Sequence, residues 1–256
     1  MGDFMDLIAL LFTLLLGLFI LFGAFVIKFF KNKEKFLLIS LSMAFGVMVS
    51  LVLLELLPSS YGLFSYKTNS IPLTLLIVVG ILLAGFFILK ILDHFIPDHE
   101  KEGENNLFHI GLLSSIAIMI HNIIEGIAVY STVVTIFSSG LLLAIGVGLH
   151  NIPLGMALSS SFYNKKENKY RSKKLIVAIS LSTFIGGLLM FINASTNIFG
   201  FSYLFTAVMI NITAGMLIYI SFMEILPKLI EAKDKKTVLI STALGVIILL
   251  VSRLLG

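Results

Sequence analysis

Two octets carry the chemistry of this chain: HNIIEGIA at 121–128 and HNIPLGMA at 150–157. Each opens on His-Asn inside a stretch that is otherwise almost wholly apolar. The first holds Glu125 one turn after His121, where the second has Leu154. Residues at i and i+4 share one face of a helix. The His121 imidazole and the Glu125 carboxylate can therefore grip the same ion. Such nitrogen and oxygen ligands suit zinc, iron, manganese or cobalt. Asn122 is turned by about 100° from His121 and offers a carbonyl oxygen at the flank. His150 and Asn151 supply the facing half. Pro153 has no N–H, which frees the carbonyl of Leu149. Freed carbonyls at membrane depth are tolerated where they line a cavity. The plainer alternative is that each histidine hydrogen-bonds an Asn or Ser on another helix. Two matched His-Asn pairs, one with a same-face glutamate, favour a metal ion over that alternative.

The medium around the octets follows from composition. Hydrophobic residues make up 58% of the 256, charged residues 12%, and the mean hydropathy is +1.07. Soluble domains carry about 45–50% apolar and about 25% charged residues. The chain is therefore expected to be an all-α integral membrane protein. It contains no cysteine, which excludes disulfides and thiolate metal sites. Apolar runs fall at 5–27, 36–57, 72–92, 108–133, 139–161, 174–192, 202–226 and 237–255. Each is near the roughly 17–25 residues that cross a bilayer, giving eight transmembrane helices in a single polytopic domain, 1–256. The first run lacks a basic leader segment and reads as a retained span rather than a cleaved signal.

The breaks between runs differ in charge. KFFKNKEK, PDHEKEGENN, YNKKENKYRSKK and PKLIEAKDKK follow the odd runs. Of the 18 Lys and Arg, all but Lys67 and Arg253 lie in or beside these four breaks. Basic residues resist translocation. The loops near 28–35, 97–106, 162–174 and 227–236 are therefore expected to be cytoplasmic, and both termini extracytoplasmic.

The runs also repeat. AFGVMVSLVLLELLP at 44–58 and TAGMLIYISFMEILP at 213–227 share Gly46, Glu55 and Pro58 with Gly215, Glu224 and Pro227. They lie in runs of opposite direction, as do the two octets. This fits an inverted 3+2+3 repeat, in which runs 1–3 mirror 6–8 and runs 4 and 5 pair at the centre. Inverted repeats with a midplane site are a transporter signature. An ionisable group inside a span costs a few kcal/mol, so Glu55 and Glu224 invite a pathway role. Both lie near span ends, where reaching for the interface explains them equally well. Asp93, His94, Asp98 and His99 stand at the inner end of the third run and in the loop after it. They read either as acceptors for a leaving ion or as a solvated acidic loop.

At this point the chain resembles the ZIP family of divalent-metal transporters. HNIIEG and HNIPLG match the paired span-4 and span-5 motifs, whose usual form is HN-x-P-E-G in both. MAFGVMVSLVLLELLP, LDHFIP and AGMLIYISFMEILP extend the likeness over most of the chain. Among the family's short forms, the chain resembles the bacterial members similar to zinc-uptake permeases. The resemblance implies import of Zn²⁺, or of Fe²⁺, Mn²⁺ or Co²⁺, across the cytoplasmic (inner) membrane of a bacterium. The ion is cargo rather than cofactor, and no enzymatic activity is implied. The expected partners are the cation and the lipid bilayer, with a homodimer allowed and no nucleic acid. The departures are specific. The span-5 carboxylate is replaced by Leu154, the span-6 carboxylate by Thr183, and the span-4 proline by Ile124. Two metals beside one carboxylate would leave an uncompensated charge costing several kcal/mol. A single-metal site at His121, Glu125 and His150, flanked by Asn122 and Asn151, is the expectation. Two other readings remain. An intramembrane zinc hydrolase would use the open coordination position to activate water, but no further general base stands near the octets. A degenerate member that binds metal without transporting it would explain the lost carboxylates.

Overall fold

The computed structural model describes residues 2–95, 104–135, 137–161, 169–196 and 203–255. Eight helices are long and apolar enough to cross a membrane, and no strand occurs among the described residues. Helix α1 is Gly2–Val26, closed by a 3₁₀ turn at Ile27–Phe29. Helix α2 runs through Lys33–Leu51, a π segment at Val52–Leu56, and Leu57–Thr68. Helices α3 to α6 are Ile71–Phe95, Glu104–Thr135, Phe137–Ser161 and Lys169–Thr196. Helix α7 joins Tyr203–Tyr219, a π segment at Ile220–Ile225, and Leu226–Glu231; α8 is Lys235–Leu255.

These helices match the eight apolar runs but extend beyond them, because hydropathy marks only the lipid-buried portion. Their polar first turns are helical where a cap satisfies the leading N–H groups. Asn32 accepts the Lys35 N–H at 2.9 Å and starts α2. Asp234 accepts the Thr237 N–H at 3.0 Å and starts α8. The breaks expected near 28–35 and 227–236 therefore shrink to residues 30–32 and 232–234. Of the other two, 97–103 and 162–168 lie outside the described residues, and Glu104 and Lys169 already open α4 and α6. The Thr237 hydrogen bonds hold the exposed Asp234 carboxyl below the usual carboxylate range. Its capping contribution is thus full above the ordinary carboxylate pKa and fades as pH falls below it.

Both π segments sit directly before a proline of the repeat. Leu57 bonds its N–H to Val52 O, and Leu226 bonds to Ser221 O, each five residues back. Pro58 and Pro227 lack the N–H that an α-helix would use, and their rings press on the preceding turn. One wide turn upstream absorbs the misfit and lets each helix continue, and such turns recur at functional sites. Glu55 and Glu224 both lie within these turns.

The helices form two groups of four. α1, α4, α5 and α6 pack together, as do α2, α3, α7 and α8. Four reciprocal pairs of glycines mark close crossings: Gly23 with Gly155, Gly126 with Gly186, Gly46 with Gly245, and Gly85 with Gly215. In every pair, a Cβ on either glycine would collide with the partner's carbonyl oxygen three residues before the partner glycine. Two of the crossings carry an asparagine clamp one turn before a glycine. Asn122 donates from Nδ2 to Ile179 O at 3.1 Å, and Asn211 donates to Val78 O at 2.5 Å. Small residues admit such close backbone contact, which stabilises helix pairs in lipid. Each crossing lies within one group. The outward faces of α1 and α3 present Leu7, Leu11, Leu18, Leu76, Val79 and Phe87 to the surroundings, as a lipid-facing surface would.

Gly155→Val and Gly46→Val should each lower the melting temperature of the purified protein in detergent, by overpacking worth about 1–3 kcal/mol. Gly80→Ala, with open space around it, should not. Equal melting of all three would mean that the crossings yield without cost.

Candidate metal centre

α4 and α5 bring the two octets face to face. The Nε2 atoms of His121 and His150 lie 2.9 and 2.8 Å from one oxygen of Glu125, Oε1. The three residues form a metal-ligand-type group whose donor atoms all lie within 4.8 Å of one another. It is the one such group among the described residues. The imidazole centroids are 6.2 Å apart. The three side chains are 2%, 8% and 1% exposed, so the centre is closed to bulk water. The i, i+4 spacing of His121 and Glu125 on one uninterrupted helix, α4, produces half of this geometry. Pro153 does not break α5, which carries His150 and Asn151 past it. Leu149 and Pro153 instead line an apolar groove shared with Met43 of α2 and Ile247 and Val251 of α8.

The polar atoms around the centre are unusually under-bonded. Glu125 Oε2, Asn122 Oδ1, both amide atoms of Asn151 and Thr183 Oγ1 are buried without a hydrogen-bond partner. So is His121 Nε2, whose 2.9 Å approach to Glu125 lies off the hydrogen-bonding direction. A buried unsatisfied polar group costs about 1–3 kcal/mol, and such groups call for an explanation such as a ligand. A cation would supply partners for the oxygens and for the His121 nitrogen. Two imidazoles and a carboxylate gathered in one buried place form a donor set that suits a divalent cation.

The flanking asparagines differ. The Asn122 amide nitrogen serves the helix crossing, and its oxygen is buried without a hydrogen-bond partner. Asn151 stands at the same place relative to Gly155 but bonds through neither atom. Leu154 is 1% exposed and belongs to the main apolar core, so no polar atom stands where the resemblance would place a carboxylate. Thr183 is fully buried, with its carbonyl against Gly126.

The proposed pathway residues lie on different helices, α2, α3 and α7. Glu55, half-buried in the α2 π segment, is close enough to His150 to act on it electrostatically. Glu224 acts instead on Tyr219 and Lys228. Asp93 accepts the Tyr219 hydroxyl at 2.7 Å, and His94 is exposed at the end of α3. Neither joins the His121–Glu125–His150 group. His99 and Asp98 lie outside the described residues. Sequence reasoning passed over Ser252 of α8, whose Oγ is 3.4 Å from His150 Nδ1. It also passed over Asp6, which accepts the Tyr130 hydroxyl at 2.7 Å. A lone serine near a span end and an acid near the start of the first span give no periodic signal that would single them out. The π turns did have one, in Pro58 and Pro227.

Comparison with known proteins gives a single answer. The family model described as "ZIP Zinc transporter" matches residues 97–253. A Zinc transporter ZupT from Clostridium perfringens is 29% identical over 99% of this chain and 98% of its own length. One from Streptococcus mutans is 30% identical over 96% of this chain and 97% of its own. One from Chlorobaculum parvum is 30% identical over 95% of each. The chain belongs to the ZIP zinc transporter family.

Proposed function

We propose that this chain imports a divalent cation, Zn²⁺ first among them, binding it singly at His121, Glu125 and His150. Family membership makes the protein a multi-pass membrane transporter and not an enzyme, which sets the hydrolase reading aside. The observation that carries the proposal is the convergence of two imidazole nitrogens and a carboxylate in one buried centre. Two imidazoles, one carboxylate and a water make a tetrahedral zinc set with one exchangeable position. In a tetrahedron of ordinary zinc bonds the donors stand about 3.3 Å apart. The 2.8 and 2.9 Å contacts to Glu125 need to open only slightly to admit the ion.

Charge argues for one ion. Zn²⁺ with Glu125 alone leaves one positive charge, and Glu55 opposite His150 brings the neighbourhood to neutrality. A second divalent ion would leave an excess of two in low dielectric, against a desolvation cost of several kcal/mol. Leu154 and Thr183 supply no further anion.

Direction and movement follow from the charge pattern and the packing. The basic breaks place the odd loops in the cytoplasm and the termini outside, in the inner membrane of a bacterium. Reciprocal glycine contacts support the inverted repeat: α2 on α8 mirrors α7 on α3, and α1 on α5 mirrors α6 on α4. All three ligands lie in the group of α1, α4, α5 and α6, and every glycine crossing is internal to one group. The contacts of α5 with α2 and α8, and of α4 with α7, lack such locks. The ligand-bearing group therefore moves as a body against the other, carrying the ion past Glu55 toward the Glu224 and Asp93 end.

Uptake of Zn²⁺ into proteoliposomes tests the reading. His121→Ala with Glu125→Ala should abolish uptake and bound metal together; wild-type transport in that variant would sink the site assignment. Binding without flux in the wild type would mark a metal-holding, non-transporting member instead. Metal counting on purified protein should give one ion per chain. Leu154→Glu should add a second ion or shift metal preference, and an unchanged count and preference would defeat the charge argument.

A further inference from the structure

We infer that Ser252 is a positioning residue for the metal centre, holding the His150 ring in the orientation and tautomer that a cation requires. The inference rests on His150 being a ligand of the transported ion. His150 points Nε2 at Glu125 Oε1, 2.8 Å away, and Nδ1 at Ser252 Oγ, 3.4 Å away. His150 is 1% exposed and Ser252 5%, so bulk water does not take over the second contact. At 3.4 Å the contact is at the long end of hydrogen bonding. Contacts in sites awaiting their ligand are often long and tighten on binding.

A neutral imidazole carries one N–H, and its other nitrogen is an acceptor. Where Nε2 carries the proton it donates to Glu125, and bare Nδ1 faces the Ser252 hydroxyl. With Nε2 given to a cation, the single N–H is on Nδ1 and Ser252 Oγ accepts it. The hydroxyl oxygen has two lone pairs, so it can accept Nδ1–H whatever else its proton bonds. An apolar side chain would leave Nδ1 unsatisfied in each. The groups that hold the second nitrogen of a ligating histidine fix its tautomer and raise its basicity.

The location adds a consequence. His150 is on α5 and Ser252 on α8, which belong to different helix groups. Displacement of one group against the other withdraws the hydroxyl from the ring. The support, and with it the affinity of the centre, is then tied to the arrangement seen here and weakens on passage to the other.

The test uses purified full-length protein titrated with Co²⁺, read by its absorption, and Zn²⁺ uptake in proteoliposomes. Ser252→Ala should weaken Co²⁺ binding and raise the KM for Zn²⁺, each about tenfold, with the maximal rate within about twofold of wild type. Ser252→Thr, which keeps the hydroxyl, should restore both. Wild-type affinity in Ser252→Ala overturns the inference. Equal losses in the Ala and Thr variants overturn it too, since that pattern marks packing. If the alanine variant does not fold, Ser252→Cys, a near-isostere with a poor hydrogen-bonding group, takes its place: weakened binding supports the inference and wild-type binding overturns it. Co²⁺ binding retained in His121→Ala with Glu125→Ala would instead overturn the site reading, so the two failures are distinct.

Discussion

Helices in lipid gain nothing from hiding apolar side chains from one another, because the hydrocarbon around them is equally apolar. What holds them is close contact, and here that contact is backbone against backbone at four glycine pairs. The rest of the structure depends on this constraint. The crossings join α1 to α5 and α4 to α6, so the octet-bearing helices are each pinned by a partner. They likewise join α2 to α8 and α3 to α7. The boundary between the groups, where α5 meets α2 and α8 and α4 meets α7, has no such glycine crossing among the described residues. The proposed ligands thus all lie on helices pinned within one group, and the boundary to the other group is where the proposed movement would take place.

Within that frame, Glu125 is the costly element. A carboxylate at 8% exposure in the interior of a membrane bundle needs partners, and His150 supplies one by a hydrogen bond to Oε1, with His121 Nε2 2.9 Å from the same oxygen. The other oxygen stays unpaired. A buried oxygen left unpaired costs about 1–3 kcal/mol, so this half-satisfied carboxylate is where a cation would add most. The same balance governs the asparagines. Asn122 gives its nitrogen to the α6 backbone and keeps its oxygen in reserve, whereas Asn151 keeps both atoms.

Much of this was legible in the residues. Apolar runs placed all eight helices, since bilayer thickness imposes a length that a sequence cannot disguise. The i, i+4 spacing placed His121 and Glu125 together, because helix periodicity is local. His150 could be paired with them only through the octet match, and that pairing was right in space. The role of Asn122 was half visible. Its position beside His121 suggested a ligand, but its bond to Ile179 O depends on which helix lies behind α4, and nothing in one sequence says so. Ser252 was hidden for the same reason: its meaning comes from α8 lying against α5. Helix ends were read short because hydropathy reports lipid contact, whereas capping by Asn32 and Asp234 decides where the backbone begins to coil.

At 154 and 183, where the family resemblance implied carboxylates, Leu154 is packed into the core and the buried Thr183 hydroxyl has no hydrogen-bond partner, so neither position adds charge beside the centre. Burial strengthens each electrostatic contact that remains. One buried carboxylate then does more for a single ion than a carboxylate open to water would. Glu55, on α2 and outside the group of α1, α4, α5 and α6, is near enough to His150 to act on it electrostatically. Under the proposed import reading, its charge would favour a loaded centre in the arrangement seen here and would be left behind if the groups shifted. An ion held partly by such a charge would bind less tightly after the shift, and a carrier would gain release that way without a second metal.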